Sequence, residues 1–259
     1  MKKILILLFL STILFSFENK KIENLMGTDK FQSYNQLLSK IFNENDHNVT
    51  DILAKLKNNG LLDLFFNKAK IIHTNFIFDN SNNILSAKLL NDSLRSLGYY
   101  YFYPSDVQKD NNFKITLEFK SEHLIDPVAL IDEMNSRGCK IIDVFKTDVY
   151  NYKFSCDNGI IKEAKPLSED NMNYINSKGV YWLSNDDFNK IKIRTKKIDS
   201  WHPSVWFYDA DLNLLNNVKI NQKTRLVTLK IPAGCKYIKI TDIYIAENFK
   251  RGIIVKGLK

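Results

Sequence analysis

The chain has 259 residues, 44% of them hydrophobic and 25% charged, and its 37 Lys and Arg against 29 Asp and Glu give a net charge of +8. That length holds one large or two modest cores, and the composition excludes disorder and repeat fibres. The positive balance favours anionic neighbours and bears on solubility and encounter rate more than on fold.

Lys2 and Lys3 precede an apolar run from Ile4 to Phe15 that only Ser11 and Thr12 interrupt. A charged start followed by an apolar stretch of this length is the pattern of a secretory leader, and the stretch is too short to span a bilayer and remain there. Ser16 offers a small residue at the cut, so residues 1–16 read as a cleaved signal peptide, with an uncleaved anchor as the alternative. No cysteine lies near that cut to carry a lipid anchor. Without Lys2 and Lys3, 35 basic residues face 29 acidic ones. No later apolar run reaches membrane-spanning length, so no transmembrane segment is expected after cleavage. Export to the periplasm argues against nucleic acid as a partner, because the phosphates that supply such affinity are absent there.

Residues 29–43 place Phe31, Leu37, Leu38, Ile41 and Phe42 at helical spacing, with Thr28 or Asp29 as cap. A second helix, capped by Thr50, carries Ile52, Leu53 and Leu56 and ends at Asn58-Asn59-Gly60. Leu61 to Phe66 reads as a further short turn of helix. Next come a strand at 70–78, a helix at 82–97 closed by Gly98, and an aromatic strand Tyr99-Tyr100-Tyr101-Phe102-Tyr103. A strictly alternating strand follows at 113–120, then a helix opened by Asp126-Pro127 and closed by Gly138, then a hairpin of 139–145 and 149–156. The order β-α-β-β-α-β is that of a ferredoxin-like split βαβ domain. Residues 166–178 read as a linker. Beyond it seven short strands, near 180–184, 190–196, 204–209, 213–220, 224–231, 236–245 and 251–256, suggest a β-sandwich of jelly-roll or immunoglobulin-like type. The expected class is α+β: residues 17–165 form a helical cap plus the ferredoxin-like domain, and residues 179–259 form the all-β sandwich.

A two-residue turn at Thr147-Asp148 would set Cys139 across from Cys156, Ile141 across from Phe154 and Phe145 across from Tyr150. Cys139 and Cys156 are therefore the candidate disulfide in an oxidising compartment, with two buried thiols as the alternative. Cys235, beside Gly234, reads as a lone buried thiol.

No residues stand at the spacing of a zinc site, a phosphate loop, a dinucleotide fingerprint or a nucleophile elbow, so no catalytic residue, metal or cofactor is assigned. A triad assembled from distant positions remains an alternative, since triads are defined by geometry. Asp209-x-Asp211-x-Asn213 imitates half a calcium loop, but Leu214 and Ile220 replace the glycine and the glutamate that such a loop needs. Trp201, Trp206 and Tyr208, with Asp209 and Asp211 as acceptors, are the candidate carbohydrate contacts. Their alternative role is as core pieces. Lys190-x-Lys192-x-Arg194-x-Lys196 reads as a lysine-guarded edge strand, with an anionic glycan or lipid contact as the other reading. Asp46-His47-Asn48-Val49-Thr50 resembles the extended acceptor of bacterial N-glycosylation, which makes Asn48 a candidate glycan site.

The run Ile52-Leu53-Ala54-Lys55-Leu56-Lys57-Asn58-Asn59-Gly60-Leu61-Leu62-Asp63-Leu64-Phe65-Phe66 resembles a segment of an uncharacterised periplasmic protein family of epsilon-class proteobacteria. The tail pattern Trp206-Phe207-Tyr208-Asp209, Ile231-Pro232-x-Gly234-x-Lys236-Tyr237-Ile238-Lys239-Ile240-x-Asp242 and Gly252-Ile253 is similar to the same family. The resemblance implies an envelope location. The expected function is that of a non-enzymatic periplasmic binding or envelope-assembly protein whose partners are other envelope proteins. The alternatives are a carbohydrate- or peptidoglycan-binding module in the sandwich, with cell-wall glycan as partner, and a periplasmic enzyme.

Overall fold

A computed structural model describes residues 19–42, 48–79, 82–109, 112–156 and 159–259. The expected signal peptide, and His47 and Asp46 of the glycosylation motif, lie outside the described residues. The chain divides into two compact units at Ile160/Ile161.

The first unit opens with helix α1 (19–26), which the sequence reading did not anticipate. Ile22, Leu25 and Met26 recur at helical spacing and are buried. The Asn24 side chain docks α1 by bonding both the N–H and the C=O of Lys146, each at 2.8 Å. Where one helix was expected over 29–43 there are two short ones, α2 (Thr28–Ser33) and α3 (Asn35–Ile41), broken at Tyr34. Helix α4 (Val49–Asn58) buries Val49, Ile52, Leu53 and Leu56, and packs on the helix at Pro127–Asn135 and the strand at Lys140–Lys146. Its cap is Asn48 rather than Thr50: the Asn48 side chain accepts the Thr50 N–H at 3.0 Å.

The turn of helix expected over 61–66 is instead the approach to strand β1 (Phe65–Phe78). A short apolar run carries no period to separate the two possibilities. Then follow α5 (Asn83–Ser96), β2 (Tyr103–Gln108), β3 (Phe113–His123), α6 (Pro127–Asn135), β4 (Lys140–Lys146) and β5 (Tyr150–Ser155). The second strand begins at Tyr103, so most of the aromatic run precedes it. The sheet is mixed, in the order β2-β3-β1-β5-β4, with β5 parallel to β1 and lying between β1 and β4. One face is a stack of rings: Phe78 on Phe154 at 4.5 Å, Phe76 on Tyr152 at 5.4 Å, and Phe78 on Phe113 at 5.6 Å. The other face carries a polar chain. Thr116 donates to Asn75 at 2.7 Å, Asn75 to Asn151 at 2.9 Å, and Asn151 to Thr147 at 3.0 Å.

Cys139 and Cys156 form a disulfide across the open end of the β4/β5 hairpin. Ile141 pairs with Phe154 as the spacing required, but a bulge at Ile142 then shifts the register, so Phe145 faces Asn151 and Lys146 faces Tyr150. The turn accordingly holds Thr147, Asp148 and Val149 rather than two residues.

The second unit has two mostly antiparallel sheets. Its strands are β6 (Lys165–Pro166), β7 (Met172–Tyr174), β8 (Tyr181–Ser184), β9 (Lys190–Thr195), β10 (Pro203–Tyr208), β11 (Leu214–Lys219), β12 (Leu226–Lys230), β13 (Tyr237–Asp242) and β14 (Ile253–Leu258). One sheet has the order β11-β10-β13-β8-β6 and the other β12-β9-β14-β7. A single buried cluster joins them: Leu183, Val205, Phe207, Ile238 and Ile240 from the first, and Ile191, Ile193, Val227, Ile253 and Val255 from the second. Two short strands escaped the reading: β6 straddles the start of the stretch read as a linker and β7 lies within it, and segments of two or three residues carry no alternation that could reveal them. Strand β9 lies between β12 and β14, so its cationic row does not guard a sheet edge.

Candidate functional site

The structure separates the expected carbohydrate contacts. Trp201 is fully buried; it stacks on Phe249 at 5.5 Å and donates its indole N–H to the Thr241 carbonyl at 2.9 Å. It belongs to the core and cannot meet a sugar. Trp206 and Tyr208 lie on the outer face of β10 because they alternate with Val205 and Phe207, which fill the core. Both are half-buried. Trp182, across β13 on β8, joins them, with its ring 5.7 Å from that of Tyr208. Lysines cover this aromatic row: Lys219 stands 5.3 Å above the Trp206 ring, and Lys239 stands 5.7 Å above that of Trp182.

Asp209 is turned toward its own loop. One carboxylate oxygen accepts the backbone N–H groups of Asp211 and Asn213, each at 2.8 Å, and the other accepts the Asn213 side-chain amide at 3.0 Å. Leu212 takes φ +62° in this turn. The carboxylate therefore shapes the hairpin loop. Asp211 is exposed. Among the described residues no group of three or more His, Cys, Asp or Glu could hold a metal ion.

A different surface stands out in the first unit. Tyr100, Tyr101 and Tyr103 are 59%, 94% and 55% exposed, and Ile71 is 64% exposed. Ile71, Tyr101, Phe102, Tyr103, Glu118, Phe119 and Lys120 line a groove of about 460 Å³ along β1, β3 and the start of β2. Exposed apolar side chains grouped in this way are unusual on a free surface. Polar groups are close by. The Tyr103 hydroxyl donates to Glu118, a bond that raises its pKa, and Glu118 stands 3.6 Å from His73. Beside the groove, burial pushes the Tyr99 hydroxyl up to about 12, and that hydroxyl donates to the Leu124 carbonyl at 3.1 Å. The sequence signal for this surface was the five-residue aromatic run itself, read only as a strand.

Each of the other two described histidines has a neighbour of its own. His123 contacts the Tyr99 hydroxyl at 3.1 Å, whereas His202 lies in the second unit, 3.8 Å from Asp242. Cys235 is a free, buried thiol whose pKa burial raises to about 11. Asn48 is exposed. No helix among the described residues is long and apolar enough to cross a membrane.

No family model and no curated protein matches the chain. Among solved structures it is similar to the secreted serine protease VesC from Vibrio cholerae, with 8% identity and a TM-score of 0.24, over 60% of this chain and 39% of that one. A likeness at that score carries neither fold nor activity across.

Proposed function

We propose that this chain is a non-enzymatic binding protein of the bacterial envelope, exported through the leader at residues 1–16, which engages another envelope protein through the tyrosine-lined groove of its first unit. The observation that carries this reading is the exposure of Tyr101, Tyr103 and Ile71 around one groove, with exposed Tyr100 next to them in the chain. Rigid aromatic side chains supply large contact area at little entropic cost, and such residues dominate protein interfaces. The disulfide accords with an oxidising compartment. In this reading the first unit is a ferredoxin-like sheet with β5 inserted between β1 and β4, and the second a jelly-roll or immunoglobulin-like sandwich. The Asn48 side-chain nitrogen carries a glycan where the host has that machinery.

Two measurements test the reading. Intact mass of the processed protein should show loss of residues 1–16; retention of Met1 in the cytosol removes the envelope location. A photo-crosslinking residue at Tyr101 should capture a discrete envelope protein, and Ile71→Asp should abolish the adduct. Indifference to Ile71→Asp removes the groove as the interface.

A second reading, cell-wall glycan binding, rests on the shared outer face of Trp182, Trp206 and Tyr208. It requires that the chain sediment with purified peptidoglycan and that Trp206→Ala release it.

A further inference from the structure

The whole positive balance of the chain resides in the second unit. Residues 161–259 contain 18 Lys and Arg against 10 Asp and Glu, whereas residues 1–160 contain 19 of each. On the four-stranded sheet the excess gathers on one face. Lys190, Lys192 and Arg194 alternate along β9 with the buried Ile191, Ile193 and Thr195. Register adds a cation from each neighbouring strand: Lys230 of β12 lies directly opposite Lys190, and Lys256 of β14 directly opposite Lys192. Residues paired in this way share a face with side chains about 5 Å apart, and like charges so placed are destabilising. Five cations therefore crowd an area of roughly 13 Å by 10 Å.

Among the described residues none of the five makes an ion pair, and neighbouring cations that do have partners lie elsewhere: Lys259 pairs with Glu169 and Arg251 with Asp199. Edge protection does not explain the row, because β9 is internal. The same face presents Leu226, 50% exposed and opposite Arg194, with Ile254 on the other side of Arg194 and Leu258 opposite Lys190. It carries no aromatic residue on which a sugar could stack.

We propose that the outer face of this four-stranded sheet docks onto a membrane surface rich in anionic phospholipid, with Lys190, Lys192, Arg194, Lys230 and Lys256 against the headgroup phosphates and Leu226 and Ile254 against the interface. A planar array of unpaired lysines mixed with aliphatic side chains is complementary to such a surface, which offers both negative charge and an apolar layer beneath it. An acidic polysaccharide offers only the first. The proposal does not depend on the groove of the first unit or on its protein partner.

The test uses the protein as the host processes it, with intact mass reporting separately on the leader. The protein is mixed with vesicles of phosphatidylcholine alone or with about one-third phosphatidylglycerol, a fraction large enough to give a negative surface potential. Co-sedimentation should require phosphatidylglycerol and disappear in molar salt, where the Debye length is about 3 Å. Each cation at an anionic surface is worth about five-fold in affinity, so Lys192→Gln with Lys230→Gln and Lys256→Gln should weaken binding on the order of 100-fold. The same triple change should leave the melting temperature unchanged or raised, because it relieves like-charge pairs. Neutralising Lys178, Lys223 and Lys250, which are outside the face, should cost much less. Equal loss from both triple variants, binding to neutral vesicles, preference for heparin over vesicles, or a lower melting temperature in the face variant would each overturn the proposal.

Discussion

The two sheets of the second unit share one core and differ in how they handle positive charge on their outer faces. On the five-stranded sheet Lys219 and Lys239 lie over tryptophan rings, and at its end Lys236, just before β13, bonds to Asp186, which raises its pKa. On the four-stranded sheet Lys192 and Lys256 face each other with no counter-charge among the described residues. Cations of the first kind cover apolar surface and serve the fold. Those of the second kind work against the fold and await something outside it.

The contrast can be probed by mutation. The largest effect belongs to the core that both faces depend on: Trp201→Ala should cost about 3–5 kcal/mol in a denaturant titration, as the loss of a fully buried ring does. Reducing the Cys139–Cys156 bond, which spans 17 residues, should lower the stability of the first unit by about 3 kcal/mol and leave the melting of the second unchanged. The two faces should then respond with opposite signs. Lys239→Gln should destabilise by about 0.5–1 kcal/mol through loss of its ring contact. Lys192→Gln should stabilise by about 0.2–1 kcal/mol by removing a like-charge pair; destabilisation there would erase the distinction between the faces. At neutral pH the smallest effect is that of Cys235, whose response appears only in alkali. The unfolded thiol ionises near its ordinary 9.0 and the folded one only near 11, so its contribution to stability is intact below pH 9 and declines as pH rises toward 11. Alkylation at pH 8 should be slow in the folded protein and rapid once it unfolds.

Much of the fold could be read from pattern. The strict alternation of Phe113, Ile115, Leu117 and Phe119 gave β3, and seven of the nine strands of the second unit fell within a few residues of their expected places. The disulfide followed from hairpin spacing even though a bulge at Ile142 altered the turn, because the Ile141–Phe154 pair beside it kept its register. What escaped depends on tertiary context. Helix α1 is held by Asn24 bonding the backbone of Lys146, a contact 122 residues away in sequence that no local window contains. The candidate surfaces were the least legible. Trp201 and Trp206 look alike in sequence, yet one fills the core and the other lines an outer face. The lysine row was visible, but its meaning depended on whether β9 was at an edge or in the middle, which strand order alone decides.

The disulfide has a further consequence because of where it sits. Cys156 follows the last residue of β5 and comes four residues before the division at Ile160/Ile161, and its partner Cys139 immediately precedes β4. A strand bordered on both sides and clasped at its exit cannot be peeled away by tension from the chain that follows. Proteolysis or unraveling of the second unit should therefore stop at this clasp and leave the amino-terminal unit closed.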